Sequence, residues 1–330
     1  MAAIHKVSGD DVGIRLDRWF KRHFPDVAHG MVEKWLRTGQ VRVDGKRAAS
    51  NLRLEADQEI RIPPVAETPA TPTLSRSRPK PVDERTQAKL RQSILHMDDQ
   101  VIVLNKPAGL AVQGGTGMEG NHLDAMLDAL QFDANDRPRL VHRLDKDTSG
   151  VLVLGRTQSA AAKLTAAFRS REARKCYWAL VVGLPKVRQG RIDAALAKTT
   201  GAHKDKMQVD YEDGQTALTW YRVVDHVGKK AAWLEMEPRT GRTHQLRVHA
   251  ALLETPIQGD GKYGGVGAYL DGVEISRKLH LHARAIRMPH PAGGELFVVA
   301  PMPPHMAESF KLLGFTEQEA GQPFVSFADD

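Results

Sequence analysis

The chain is short of several things that would fix its chemistry at once. Its 330 residues include one cysteine, Cys176. A single chain can therefore build neither an internal disulfide nor a cysteine-based zinc site, and a reducing compartment fits that usage. Long apolar runs are also missing. Segments such as 101–104 fall far below the roughly 20 residues of a membrane helix, and the N-terminal Met-Ala-Ala-Ile-His-Lys has no signal-peptide core. A cytoplasmic protein with no membrane contact is expected. No repeat of fixed period is visible, which argues against a solenoid.

What is present is ordinary globular material, 41% hydrophobic and 26% charged, with length favouring two domains. Forty-seven Lys and Arg against 40 Asp and Glu give a net charge of +7. That balance attracts polyanions such as RNA, DNA or anionic membranes; the plainer alternative is a merely basic soluble protein.

Residues 63–91 carry six prolines and the basic residues Arg76, Arg78, Lys80, Arg85, Lys89 and Arg91, so an extended basic linker is expected there. It separates a small module at 12–62 from a larger one at 92–320. In the first, Leu16, Trp19 and Phe20 recur at i, i+3 and i+4, as on one helix face. A second helix is predicted over 31–37, stopped by Gly39, and Asp44-Gly45 marks a hairpin. Twelve basic residues against nine acidic ones in 1–62 leave little excess charge, so placement matters more. Arg15 and Arg18, and above all Lys34, Arg37, Arg42, Lys46 and Arg47, are candidates to meet RNA phosphates; a solvated charged face is the alternative.

The larger module mixes β-like runs at 101–105, 151–154, 177–182, 232–237 and 295–300 with helical patterns near 122–130 and 159–168. Strands often follow one another without a crossover helix, which predicts an α+β fold on a mixed, largely antiparallel sheet.

Within it, two apolar strands flank the polar segment His142-Arg-Leu-Asp-Lys-Asp-Thr-Ser-Gly. Polar loops between rigid elements suit catalytic groups, although a surface turn has the same composition. Gly114-Gly-Thr-Gly-Met-Glu-Gly and Gly259-Asp-Gly-Lys-Tyr-Gly lack the spacing of nucleotide-binding loops, and neither His244 with His249 nor His280 with His282 has a metal pattern. These histidines are expected to be structural or to face RNA, and Cys176 to be a buried free thiol. Around Arg169, Arg171, Arg174 and Lys175, an RNA contact is favoured over a solvated helix end.

The order of motifs in 12–62 resembles the S4 RNA-binding domain. His-Arg-Leu-Asp-x-x-Thr-Ser-Gly at 142–150, together with Asn105-Lys-Pro-Ala-Gly, Lys175-Cys-Tyr-Trp-Ala-Leu-Val and Gly241-Arg-Thr-His-Gln-Leu-Arg-Val-His, resembles the RluA-type RNA pseudouridine synthases. The resemblance implies a pseudouridine synthase catalytic domain that acts as a monomer on RNA, with no metal or organic cofactor. It makes Asp145 the nucleophile, Arg247 its ion-pair partner, Tyr177 a catalytic-site residue lying against the base, with transfer of the C5 proton as a second role, Arg143 the filler of the stack the base vacates and Leu246 its packing support. His142 and Thr148 of the same motif are expected substrate contacts. Within the family the motifs look closest to the RluC branch, which modifies uridines of 23S ribosomal RNA; that branch has His where this chain has Gln113. Other ribosomal or transfer-RNA uridines are the alternative targets. A non-catalytic RNA-binding or ribosome-assembly module is a rival reading, and a hydrolase using Asp145 and Asp147 a weaker one, since i, i+2 spacing does not set two carboxylates across a glycosidic bond.

Overall fold

The computed structural model describes residues 3–24, 27, 29–64, 83–114, 122–199 and 206–324. The chain divides into two compact units, Met1–Arg78 and Pro79–Asp330.

The first unit runs β1 (Ala3–Lys6), α1 (Leu16–His23), α2 (His29–Thr38), β2 (Arg42–Val43), β3 (Lys46–Arg47) and β4 (Glu59–Ile62), with an antiparallel sheet ordered β1-β4-β2-β3. Leu16, Trp19 and Phe20 are buried on α1 against Val32 and Leu36 of α2 and Ile60 and Ile62 of β4, as their spacing requires. Past the end of α2, Gly39 takes φ +72°, and the hairpin turns on Asp44 (φ 49°) and Gly45 (φ 73°). Two successive positive φ values are what a two-residue type I′ turn needs. Strand β1 lies before the expected start at residue 12. It pairs residue by residue with β4, and three of its four residues are exposed, so no apolar alternation announces it.

In the second unit the last residues of the expected linker form a helix. Residues 65–82 and 115–121 lie outside the described residues, but α3 (Glu84–Gln92) is helical, with the Asp83 carboxylate accepting from the Thr86 N–H at 2.9 Å. Leu90 is buried against Leu127 and Leu130. A cap and one apolar anchor override the linker-like composition.

The remaining elements are β5 (Ile94–Met97), β6 (Val101–Lys106), α4 (Leu123–Met126), β7 (Arg139–Leu140), β8 (Ser149–Gly155), α5 (Gln158–Ser170), β9 (Arg174–Val182), β10 (Gln189–Asp193), β11 (Leu196–Lys198), β12 (Met207–Val209), β13 (Leu218–Val227), β14 (Ala231–Pro238), α6 (Gln245–Leu252), β15 (Leu281–Pro289), β16 (Glu295–Val299) and α7 (Pro304–Leu313). The main sheet is ordered β10-β13-β14-β9-β15-β8-β6-β5, with β16 beside β15 and β7 beside β8. Its fold is α+β on a mixed, largely antiparallel sheet. Among the described strands, β8 and β15 form the one parallel pair, through His282↔Ser149 and Ala283↔Gly150.

That pairing explains the glycine that ends the 142–150 segment. Gly150 has φ +109°, and a Cβ there would lie 2.2 Å from the Ala283 carbonyl oxygen. Beside it, the Ser149 hydroxyl meets Nδ1 of His282 at 2.9 Å, and every residue of β8 is buried. Gly150→Ala is expected to lower unfolding free energy by about 2–3 kcal/mol, through overpacking and an unfavourable φ. Equilibrium denaturation checks this; an unchanged midpoint would mean that β8 and β15 separate freely.

Candidate active site

The sheet brings separate motifs into one row. Ala283 of β15 pairs with Gly150 on one side and with Tyr177 of β9 on the other, so Tyr177 stands about 10 Å, two strand spacings, from the start of β8. The loop preceding β8 therefore opens beside Tyr177. Leu144 is buried in the cluster containing Leu152 and Ala283, whereas Arg143 is exposed, the alternation expected of an extended segment.

The loop is also clamped from below. The Lys106 ammonium is buried and donates to the carbonyls of Pro107 (2.9 Å), Leu110 (2.9 Å) and Lys146 (3.0 Å), while the Gly109 N–H donates to the same Lys146 oxygen at 2.9 Å. Burial pulls Lys106 down to about 8, against the opposing charges of Asp147 and Asp145. The Asn-Lys-Pro-Ala-Gly motif thus fixes the residue that follows Asp145.

A cavity of about 540 Å³ opens here, lined by Arg143, Asp145, Thr148, Tyr177, Leu246 and Arg247 among others. Asp145 is half-buried, and its carboxylate has no hydrogen-bond or ion-pair partner among the described residues. Thr148 is buried, with Oγ1 also unpartnered. Burial, then the charges of Asp145 and Cys176, push the Tyr177 hydroxyl well above its ordinary range, so it keeps its proton at neutral pH.

The expected Arg247–Asp145 ion pair is replaced by another. Arg247 donates from Nε to Asp260 at 2.8 Å and from Nη2 at 2.6 Å, and its guanidinium lies 5.0 Å from the Tyr263 ring centroid. A buried guanidinium needs a carboxylate that matches its fork, and Asp260 supplies both oxygens. Asp145 still acts on Arg247 electrostatically, adding to the rise in its pKa. Both Asp260 and Tyr263 sit in the Gly259-Asp-Gly-Lys-Tyr-Gly segment, where the spacing of the glycines carries no signal of the acid and the ring between them.

His142 lines the cavity but is first a brace. Its Nε2 accepts the Val153 N–H at 2.8 Å, its ring stacks on Phe168 at 4.4 Å, and burial with nearby Lys175 lowers it to about 3. Arg169, Arg171 and Lys175 face the cavity, whereas Arg174 is bound to Glu237 through two contacts of 2.9 Å. Lys175 falls to about 8 through burial, against the pull of Glu237. Cys176 is buried, and burial raises its thiol, which makes it inert.

In the first unit, Arg18, Lys34, Arg37, Lys46 and Arg47 are exposed. Two of the expected RNA contacts are otherwise engaged: Arg15 grips Asp17 at 3.1 and 2.7 Å, and Arg42 folds onto the Gly45 carbonyl at 2.9 Å.

Among the described residues no group of three His, Cys, Asp or Glu side chains is arranged to hold a metal. His249 is hydrogen-bonded to Thr219 and the Ala194 carbonyl, His280 to Ser309 and the Lys278 carbonyl, and His282 to Ser149 and the Ala300 carbonyl. No described helix is long and apolar enough to cross a membrane.

The family model described as RNA pseudouridylate synthase matches residues 100–252, which include the 142–150 loop, Tyr177 and Arg247. RNA pseudouridine synthase 4, mitochondrial, of Arabidopsis thaliana is 34% identical over 93% of this chain and 81% of its own length. Ribosomal large subunit pseudouridine synthase C of Rickettsia conorii is 35% identical over 83% of this chain and 89% of its own. The solved structure of human RNA pseudouridylate synthase domain containing 4 aligns with a TM-score of 0.57 at 30% identity, covering 70% of this chain and 96% of that one. With this identity along nearly the full length of several relatives, the chain belongs to the RluA-type RNA pseudouridine synthases.

Proposed function

We propose that the cavity receives a uridine flipped out of RNA, and that Asp145 is the nucleophile for its conversion to pseudouridine. The observation that carries this reading is the state of the Asp145 carboxylate. It lines the cavity with no partner among the described residues, whereas neighbouring Asp260 has both oxygens engaged by Arg247. The reaction is an isomerisation: the N1–C1′ bond breaks, the base turns, the C5–C1′ bond forms, C5 loses its proton and N1 gains one. A carboxylate serves by attacking either the sugar C1′ or the ring C6 and leaving later.

The other residues fit this reading. Tyr177 and Leu246 provide the apolar contact for the base, Thr148 Oγ1 offers an unspent hydrogen bond, and Arg247 retains Nη1 for Asp145 or substrate. Arg143 is exposed at the cavity, placed to enter the stack that the base leaves, which recovers part of the few kcal/mol that flipping costs. The chemistry asks for no metal or organic cofactor.

The names of relatives such as ribosomal large subunit pseudouridine synthase C support RNA of the large ribosomal subunit, which we read as 23S ribosomal RNA, as the substrate; in this reading a monomer meets it in the cytoplasm. The S4-like first unit then acts as an anchor, with Lys34, Arg37, Lys46 and Arg47 on phosphates. A non-catalytic RNA-binding role is disfavoured by the accessible, unpartnered Asp145.

Two measurements test this. The full-length protein is expected to release tritium from 23S RNA labelled at uridine C5, and Asp145→Ala to release none. Equal release by both would remove Asp145 as nucleophile, and release from transfer RNA but not 23S RNA would move the substrate to the alternative class. Replacing Lys34, Arg37, Lys46 and Arg47 with Ala is expected to weaken RNA binding and reduce the slope of log affinity against log salt by up to about 3, at roughly 0.7–0.9 per phosphate contact. An unchanged slope would show that this face does not hold RNA.

A further inference from the structure

The segment Thr243-His-Gln-Leu-Arg enters α6, and its three long polar side chains meet different fates. Gln245 is spent: its Oε1 accepts from the Thr240 hydroxyl (2.7 Å) and the Arg242 N–H (3.0 Å), and its Nε2 donates to the Leu218 carbonyl (2.9 Å) and Thr219 Oγ1 (3.0 Å). Those are all the hydrogen bonds a primary amide makes. Arg247 is held by Asp260. His244 lines the cavity, and its Nε2 has no partner among the described residues.

His244 is also specially held. It has φ +54° and ψ 18° at the head of α6, left-handed backbone that is uncommon outside glycine and worth explaining where it occurs. Its Nδ1 lies 2.6 Å from the Tyr263 hydroxyl. That hydroxyl oxygen accepts the Met207 N–H at 3.0 Å. An amide N–H only donates, so the phenolic proton stays available for His244. With Nδ1 accepting that proton, the neutral ring carries its own on Nε2, at the opposite edge.

We propose that His244 is a further catalytic residue that donates its Nε2–H to a carbonyl oxygen of the target uracil, and that Tyr263 is the positioning residue that fixes this tautomer. The proposal rests on the reading of the cavity as the uridine site. As the N1–C1′ bond breaks, negative charge spreads over the uracil carbonyl oxygens. A preorganised neutral donor stabilises that charge. An imidazolium at the same place would instead attract Asp145 and hold the nucleophile. The groups facing His244 are Asp145, Asp260, Arg247, Lys262 and Tyr263. Burial lowers its pKa first; Arg247 and Lys262 act in the same direction, and Asp145 and Asp260 oppose them.

The test uses the full chain and single-turnover tritium release from C5-labelled RNA. His244→Ala is expected to slow release roughly 100-fold, the scale of one lost charge-stabilising donor, with RNA affinity within about threefold of the parent. His244→Gln, which keeps an N–H donor, should recover part of that loss. Tyr263→Phe removes the donor to Nδ1 and makes the ring easier to protonate, so the acid limb of the rate profile should move to higher pH. With sulfur replacing O2 or O4 of the target uracil, one of the two substitutions should slow the parent further and leave His244→Ala unaffected. That arm separates a carbonyl contact from a phosphate contact.

A His244→Ala rate within about twofold of the parent, equal losses in the Ala and Gln variants, an unmoved acid limb in Tyr263→Phe, or equal slowing of parent and variant by both sulfur substitutions would each overturn the role. If His244→Ala does not fold, the Tyr263→Phe limb decides alone. A parent that releases no tritium would refute the uridine-site reading itself and this role with it.

Discussion

The contact on which the site depends is the parallel approach of β8 to β15. At Gly150 the two backbones come closer than any side chain would allow, with a Cβ position only 2.2 Å from the Ala283 oxygen. The Ser149–His282 hydrogen bond lies in the adjoining register position. Because Ala283 also pairs with Tyr177, this one junction sets both the end of the Asp145 loop and the ring that faces it. Lys106 then closes the loop from the other side through the Lys146 carbonyl. Asp145 is thus carried by backbone held on either side, the condition under which a carboxylate keeps its aim without spending its oxygens on the protein.

Hydrogen-bond accounting separates scaffold from chemistry better than residue type does. Gln245, His249, His280 and His282 are polar, buried and within or near family motifs, and each is satisfied by protein. Asp145, Thr148 Oγ1 and Nε2 of His244 open on the same cavity without a partner among the described residues. Of these only Thr148 Oγ1 is buried without a partner, at a cost in free energy; the other two are half-buried, and together they leave the cavity with hydrogen-bonding groups that a ligand can take up.

Much of this was legible in the sequence, for identifiable reasons. The helix face of Leu16, Trp19 and Phe20, the Asp44-Gly45 turn and the strand runs of the mixed sheet are local patterns, and local physics decides them. The gathering of Asp145, Tyr177, Leu246 and Arg247 was legible only through the family motifs, because chain separations of 32 to 102 residues carry no local signal. Asp260 and Tyr263 were passed over, since a glycine-rich stretch was judged by whether it could hold a nucleotide rather than by the acid and ring inside it. Strand β1 escaped because it exposes most of its side chains, and α3 because one capped turn and Leu90 outweighed a linker-like composition.

The partition of the two aspartates near Arg247 follows from opposed requirements. A buried guanidinium must have a permanent carboxylate, because leaving it unpaired costs about 3–5 kcal/mol. A nucleophilic carboxylate must not be that permanent partner, since attack would first have to break two short charge-assisted bonds. Asp260 meets the first requirement, which leaves Asp145 able to take the second role, the one proposed for it. Arg247 and Asp145 still interact across the cavity through space, and the charge of Asp145 adds to the rise in the Arg247 pKa. The same Asp260 carboxylate receives the Tyr263 backbone N–H at 3.3 Å, and Tyr263 orients His244. One acid therefore holds Arg247 directly and, through Tyr263, His244, on either side of the carboxylate proposed as the nucleophile.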